Sequence, residues 1–170
     1  MSLLIRLFWL AVTWRSRGPI DLLAESVLPL RVLPNDLDVF GHMNNGRYLA
    51  IMDLGRIDYL YRTGSMRATR DRGWHPLVAG ARIRYRRPLM LWQFYTLHTR
   101  LLGWDDKWLF IEQRFEREGQ LVAVARVKGL FAGREGKVPT AALLQAIGLD
   151  SVSPPLPQDL LRWAGKEEDT

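Results

Sequence analysis

The sequence predicts an α+β domain, an antiparallel sheet wrapped around one central helix, and three observations carry that prediction. A helical segment running on from Tyr48 places its apolar residues on two opposite stripes, where a surface helix would show one. Four strand-like runs follow it, each joined to the next by a short connection containing turn residues. The last of these runs is small in the middle of one face, which lets a helix come close. With 170 residues, no repeat and no long linker, the chain is long enough for one domain with a substantial core.

Taken in order, the chain opens on an apolar dozen, Leu3 to Trp14, followed by Arg15 and Arg17. This is shorter than the ~20 residues needed to cross a bilayer. Arg6 interrupts it and no convincing small-x-small cleavage site follows, which argues against a secretory leader. Two readings remain: a helix packed on the protein or a dimer partner, or a peripheral membrane contact through residues 3–14, with Phe8, Trp9 and Trp14 suited to an interface. The expected location is cytoplasmic, with membrane association as the alternative. Val27 to Leu33 reads as a short strand, and Pro29 confines it to a sheet edge or a bulge.

The next stretch, Asp36 to Tyr48, reads D-L-D-V-F-G-H-M-N-N-G-R-Y and is far more polar and turn-prone than a core segment. Part of it is explained by a helix cap: Asn44 or Asn45 as N-cap, with Asp36 or Asp38 making an Asx-turn. That account leaves His42 and one carboxylate without a role. The helix then carries Tyr48, Met52, Gly55 and Tyr59 on one stripe and Ala50, Leu54, Ile57 and Tyr61 on the other, as suits a helix enclosed by a curved sheet. Asp53 and Arg56 form a local ion pair worth about 0.2 to 0.5 kcal/mol. Gly64 stops the helix.

A polar, Arg-rich connection with Gly73 and Pro76 leads to four strands at about 77–87, 92–102, 107–117 and 120–132. R-P-L-M-L, G-W-D-D and E-G are the turns of an antiparallel meander in that order. In the last strand Leu121, Ala123, Ala125, Val127, Gly129 and Phe131 face the helix and Val122, Val124, Arg126, Lys128 and Leu130 face away. A short helix is expected over 141–147, then S-P-P-L-P and an acidic, mobile end. The resulting division is an apolar and basic N-terminal segment (1–25), a folded domain (26–138) and a C-terminal helix and tail (139–170).

The pattern D-x-D-x-x-G-H-x-N-N-x-x-Y ahead of a helix closely resembles the hot-dog thioesterases of the 4-hydroxybenzoyl-CoA thioesterase type. The words R-L-L-G-W-D-D-K-W and V-A-V-A-R-V-K-G-L-F extend the resemblance over roughly residues 26–138. It implies a hot-dog fold, hydrolysis of an acyl-CoA and a homodimer or dimer of dimers. It makes Asp38 the catalytic carboxylate and places the helix-start oxyanion donor at about Asn45, through its backbone N–H. The related plant acyl-carrier-protein thioesterases carry catalytic Asp, Asn and His as D-x-N-x-H; this chain has Asp38, Phe40 and His42, so Phe40 is a departure and no amide stands there.

The chemistry fits the residues. Thioester hydrolysis needs a carboxylate nucleophile or an activated water on one side of the carbonyl and N–H donors on the other. Asp38 can supply the first, as nucleophile or general base, and the free N–H groups and positive end of the helix the second. His42 can orient water or substrate, or be a loop His satisfied by backbone. Asp36 is expected to hold the turn, at about 1 kcal/mol. Gly41 and Tyr48 from the motif, with Arg84 and Arg86 from the Arg-rich segment, are the candidate substrate-binding residues.

Composition narrows the partners. The chain has no Cys, which excludes disulfides, thiolate nucleophiles and Cys-built zinc sites. Its three His, at 42, 75 and 98, match no local metal-ligand spacing, so no metal or other cofactor is expected, and His75 and His98 read as structural or exposed. The net charge of +6 admits nucleic acid, an anionic membrane or an anionic small molecule. No nucleic-acid module is readable. Eight Arg between 62 and 87 against one acid, Asp71, form either a solvated face or a site for the phosphates of CoA. Two other functions stay open: a hot-dog hydratase or dehydratase using Asp38 and His42, and a non-catalytic acyl-CoA-binding or membrane-associated module.

Overall fold

The computed structural model describes residues 3–150 and 152–165, apart from the side chains of Trp14 and Arg15. Helix α1 spans Leu3–Thr13 and runs into a 3₁₀ turn, Trp14–Arg17. Strand β1 (Ser26–Arg31) and a 3₁₀ turn at Pro34–Asp36 lead to the long helix α2, Asn45–Arg62, which Asn44 caps by accepting the Gly46 N–H at 2.8 Å. Thr63 closes α2, and Gly64, at φ 74°, turns the chain into the short helix α3, Ser65–Arg70, inside the expected connection. Strands β2 (His75–Tyr85), β3 (Phe94–Trp104), β4 (Leu109–Arg117), β5 (Gln120–Gly133) and β6 (Gly136–Val138) follow, then helices α4 (Thr140–Ala146) and α5 (Gln158–Gly165).

All six strands form one antiparallel sheet in the order β1-β3-β4-β5-β2, with β6 beside β5. Pro29 lies in an edge strand, paired only on the β3 side, as its missing N–H demands. The expected four-strand meander is corrected: β3, β4 and β5 are consecutive neighbours, but β2 pairs with β5 at the far edge. The R-P-L-M-L segment is not a hairpin turn. Leu89 is fully buried and its carbonyl accepts the Met43 N–H at 2.8 Å, while Gln93 and Trp92 exchange bonds with Val32. Burying that segment over the start of α2 carries the chain from the β2 edge across to β3, the neighbour of the opposite edge strand.

The core forms between α2 and the sheet. Tyr48, Ile51, Met52 and Leu54 meet Leu28, Leu97, Phe115, Ala123, Ala125 and Val127, so the small face of the last strand does receive the helix. Closest approach is at Gly55, where a Cβ would stand 2.6 Å from Leu97 and 2.8 Å from the Thr99 hydroxyl. The second apolar stripe of α2 is covered by α1, not by more sheet: Leu3, Leu7 and Leu10 join the same core, and Leu7 and Leu10 line a cleft with Ile57 and Tyr61. Buried Asp58 anchors this arrangement, pairing with Arg17 at 2.8 Å and accepting from Ser26 at 2.6 Å.

After S-P-P-L-P the chain forms a further helix, α5, that was not expected from the sequence. Leu160 and Trp163 of α5 are buried against Trp108, Phe110 and Leu130 on the outer face of the sheet. Lys128, assigned from its alternation to the outward face, is consequently buried, its ammonium 4.6 Å from the Trp108 ring and donating to the Trp163 carbonyl at 3.2 Å. The acidic residues Glu167, Glu168 and Asp169 lie outside the described residues.

Candidate active site

The motif folds as a tight, internally bonded loop. Asp38 makes the Asx-turn: its Oδ1 accepts the Phe40 N–H at 2.9 Å and the His42 N–H at 3.2 Å, while its own N–H donates to the His42 carbonyl at 2.8 Å. Gly41, at φ 77°, closes the loop in the left-handed region and donates to the Asp38 carbonyl at 3.1 Å. This leaves Asp38 Oδ2 without a partner among the described residues, on a side chain that is only partly covered.

Asp36 has a different role. It is fully buried, and its carboxylate is held by Arg6 of α1, by Arg47 of α2 at 2.9 and 3.1 Å, and by the Leu33 N–H at 2.9 Å. Its carbonyl accepts the Asn44 N–H at 2.8 Å. One residue therefore joins the N-terminal helix, the motif loop and the cap of α2.

At the helix start, the Gly46 and Arg47 N–H groups are taken by the side chain and carbonyl of Asn44, which leaves the Asn45 N–H without an acceptor among the described residues. That N–H sits at the positive end of an 18-residue helix. Asp38, His42, Asn45, Tyr48 and Arg86 line one cleft of about 380 Å³, together with Met43, Tyr85, Arg87 and Pro88. The two groups needed for acyl transfer, a carboxylate and a free backbone donor, thus share one space.

Tyr48 is buried beneath the cleft, packed edge-on against Tyr85 at 5.1 Å and Phe115 at 4.9 Å. Burial pushes its hydroxyl up to about 12, so it is a neutral phenol at physiological pH. Burial also raises Tyr85, whose hydroxyl donates to the Asn45 carbonyl at 3.0 Å and ties the end of β2 to the helix start. The His42 ring is exposed and makes no hydrogen bond among the described residues. Phe40 is 79% exposed and supplies only its backbone N–H to the loop, so the departure from D-x-N-x-H puts a side chain in solvent, not in the cleft.

Of the other sequence candidates, Gly41 shapes the loop and Arg84 stands outside the cleft. Tyr85 turns inward onto Tyr48, so its neighbour Arg84 is on the opposite face of β2. Tyr85 and Arg87 were not picked out from sequence; the available signal was their position beside Arg86 in Y-R-R-P. Among the remaining Arg of the cluster, Arg62 holds Asp58 and the carbonyls of Arg17 and Gly18, and Arg72 and Arg82 lie over Trp74 and Trp163. Arg86 and Arg87 also line a second hollow with Leu121 next to the cleft. His98 is bound between Glu25, at 2.8 Å, and Thr96, at 3.0 Å, on the sheet, and His75 is exposed at the start of β2.

A profile of the Thioesterase-like superfamily matches residues 32–164. The chain belongs to this superfamily. It is 37% identical to Protein THEM6 of Xenopus laevis over 148 residues, covering 84% of this chain and 69% of that protein. It spans 55% and 42% of the proteins of the same name from Danio rerio and Drosophila melanogaster. It is also 32% identical over 100 residues to the long-chain acyl-CoA thioesterase FadM of Escherichia coli, covering 58% of this chain and 76% of that one. Among solved structures, the probable thioesterase YbaW of Escherichia coli superposes with a TM-score of 0.67 at 25% identity, over 71% of this chain and 95% of that chain. The curled sheet around α2 is accordingly a hot-dog fold, and the expected α+β class holds.

Proposed function

We propose that the protein hydrolyses the thioester of an acyl-CoA to the free acid and CoA, as a thioesterase of the 4-hydroxybenzoyl-CoA thioesterase type. The observation that carries this reading is the shared cleft of Asp38 and the free Asn45 N–H. The Asn45 N–H receives the carbonyl oxygen as negative charge builds on it, aided by the helix dipole. Asp38 attacks the carbonyl carbon or takes a proton from the attacking water. Either route ends with the water oxygen in the acid and a proton on the CoA thiol. His42, beside them, orients water or the leaving thiol.

The acyl tail needs an apolar chamber, and one of about 420 Å³ lies between the C-terminal half of α2, the sheet and α4, within the usual size of a small-molecule site. Ile57, Leu60, Val127, Phe131 and Leu143 line it, with Asp53 and Arg56 among its few polar groups. Strand β2 connects it to the cleft: Pro76, Leu77 and Val78 border the chamber, and Tyr85 borders the cleft at the other end. Because β2 is an open edge, two copies can pair antiparallel along it. A two-fold axis near the middle of β2 then sets the chamber of one copy against Asp38 of the other. Half-exposed Leu77 and Val78 on that edge support this arrangement. Sedimentation at micromolar concentration is expected to give a dimer, and a monomer only would contradict the shared site.

In this reading Arg86 and Arg87, which line both the cleft and the second hollow, hold the phosphates of CoA. Hydrolysis of an acyl-CoA is therefore expected to weaken with added salt several-fold more than hydrolysis of a short neutral thioester. Thiol release measured for both across a salt series checks this. Equal salt sensitivity would return these Arg to a solvated face.

A further inference from the structure

Helix α1 is apolar on both sides. Leu3, Leu7 and Leu10 enter the core, while Leu4, Ile5, Phe8, Trp9 and Val12 form a second stripe facing outward. Three of these, Leu4, Phe8 and Val12, are more than 60% exposed. The helix has one charged residue, Arg6, and it is turned inward onto Asp36 and the Arg31 carbonyl. Eleven residues thus present an outer surface with no charge at all.

A separate exposed group lies at the end of β1. Since Arg6 donates to the Arg31 carbonyl at 3.0 Å, α1 lies against the end of β1. There the exposed Arg31 guanidinium sits 5.0 Å from the Trp92 ring and 4.7 Å from the Phe94 ring, and both rings are themselves exposed. Scattered exposed apolar residues are ordinary, whereas five on one side of a single helix form a contiguous stripe that marks an interaction surface. Neither the cleft nor the apolar chamber uses any of these side chains.

We propose that the outer stripe of α1 seats the protein on an anionic lipid surface. The helix is about 16 Å long at 1.5 Å per residue, well short of the ~30 Å hydrocarbon layer, and no helix among the described residues is long and apolar enough to cross a membrane. A surface helix with an apolar outer stripe of this kind rests in the interface plane, with its aromatic residues at headgroup depth. Charge selects the occupant. A chain of net charge +6 is drawn to an anionic surface, whereas a second copy of the same chain would bring like net charges together. Docking costs no desolvation of Arg6, because Asp36 already neutralises it inside the fold.

The test is co-sedimentation of the full chain with vesicles of phosphatidylcholine alone and of phosphatidylcholine with phosphatidylglycerol in equal parts. Partition onto the anionic vesicles is expected to exceed that onto the neutral ones by about tenfold or more. The double variant Phe8→Ser, Trp9→Ser should lose about tenfold or more of that partition. Circular dichroism should be unchanged, since both side chains point away from the core. The proposal is overturned if the parent chain stays in the supernatant with anionic vesicles, or if the double variant binds as well as the parent. It is equally overturned if the double variant, without lipid, sediments as a smaller species than the parent, which would make the stripe a contact between copies. None of these outcomes depends on thioester hydrolysis.

Discussion

Asp38→Asn is expected to lower acyl-CoA turnover about 100-fold or more while leaving substrate affinity within a few-fold. The substitution is structurally quiet, because an Asn Oδ1 can still accept the Phe40 and His42 N–H groups that hold the loop. What it removes is the charge and basicity of the second carboxylate oxygen, the one with no partner among the described residues. His42→Ala should produce a smaller loss, since its ring is exposed and its backbone alone maintains the loop. Steady-state thiol release, with the folded state checked by thermal denaturation, separates the two. An Asp38→Asn protein as fast as its parent would reduce the motif to a helix cap.

Asp36→Asn is expected to act on stability instead, by about 3 kcal/mol or more. Two Arg and a backbone N–H converge on a carboxylate with no solvent exposure, and neutralising it leaves Arg6, itself buried, without its counter-charge. For a chain of this size that corresponds to a melting-temperature drop of roughly 6–12 °C. Turnover per folded molecule should stay within a few-fold of the parent. A drop of only about 2 °C would show that solvent, not Arg6 and Arg47, carries the pairing.

The sequence reading put Asp36 at about the cost of a lost cap, and the difference shows where sequence reasoning stops. Arg6 read as an interruption of an apolar segment, and nothing local connects it to an acid 30 residues later. Periodicity was legible throughout: the two stripes of α2, the edge position required by Pro29 and the small face of β5 all follow from side-chain spacing. Neighbour relations were not. Alternation says which side of a strand is buried but not which strand lies beside it, so β2 was set next to β3 when the buried Leu89 segment carries the chain across the sheet. Lys128 was misread for a related reason, because its burial depends on a C-terminal helix whose Trp163 folds back over it.

The site divides the same way. Asp38, His42 and Asn45 lie within eight residues, so one loop and one helix start bring them together as the motif implied. Tyr85, Arg86 and Arg87 reach the cleft through strand pairing at a distance of about forty residues in sequence, and only the period-2 geometry of β2 separates Arg84 from them. The apolar chamber was not legible at all, being built from seven separate elements, three helices and four strands.

Free-thiol release over a panel of acyl-CoAs, graded in chain length and including aromatic acyl groups, tests the central claim most directly. The account predicts turnover of at least one class, with medium or long apolar acyl groups favoured over acetyl-CoA because the 420 Å³ chamber rewards buried apolar surface. Absence of thiol release from every member would contradict it.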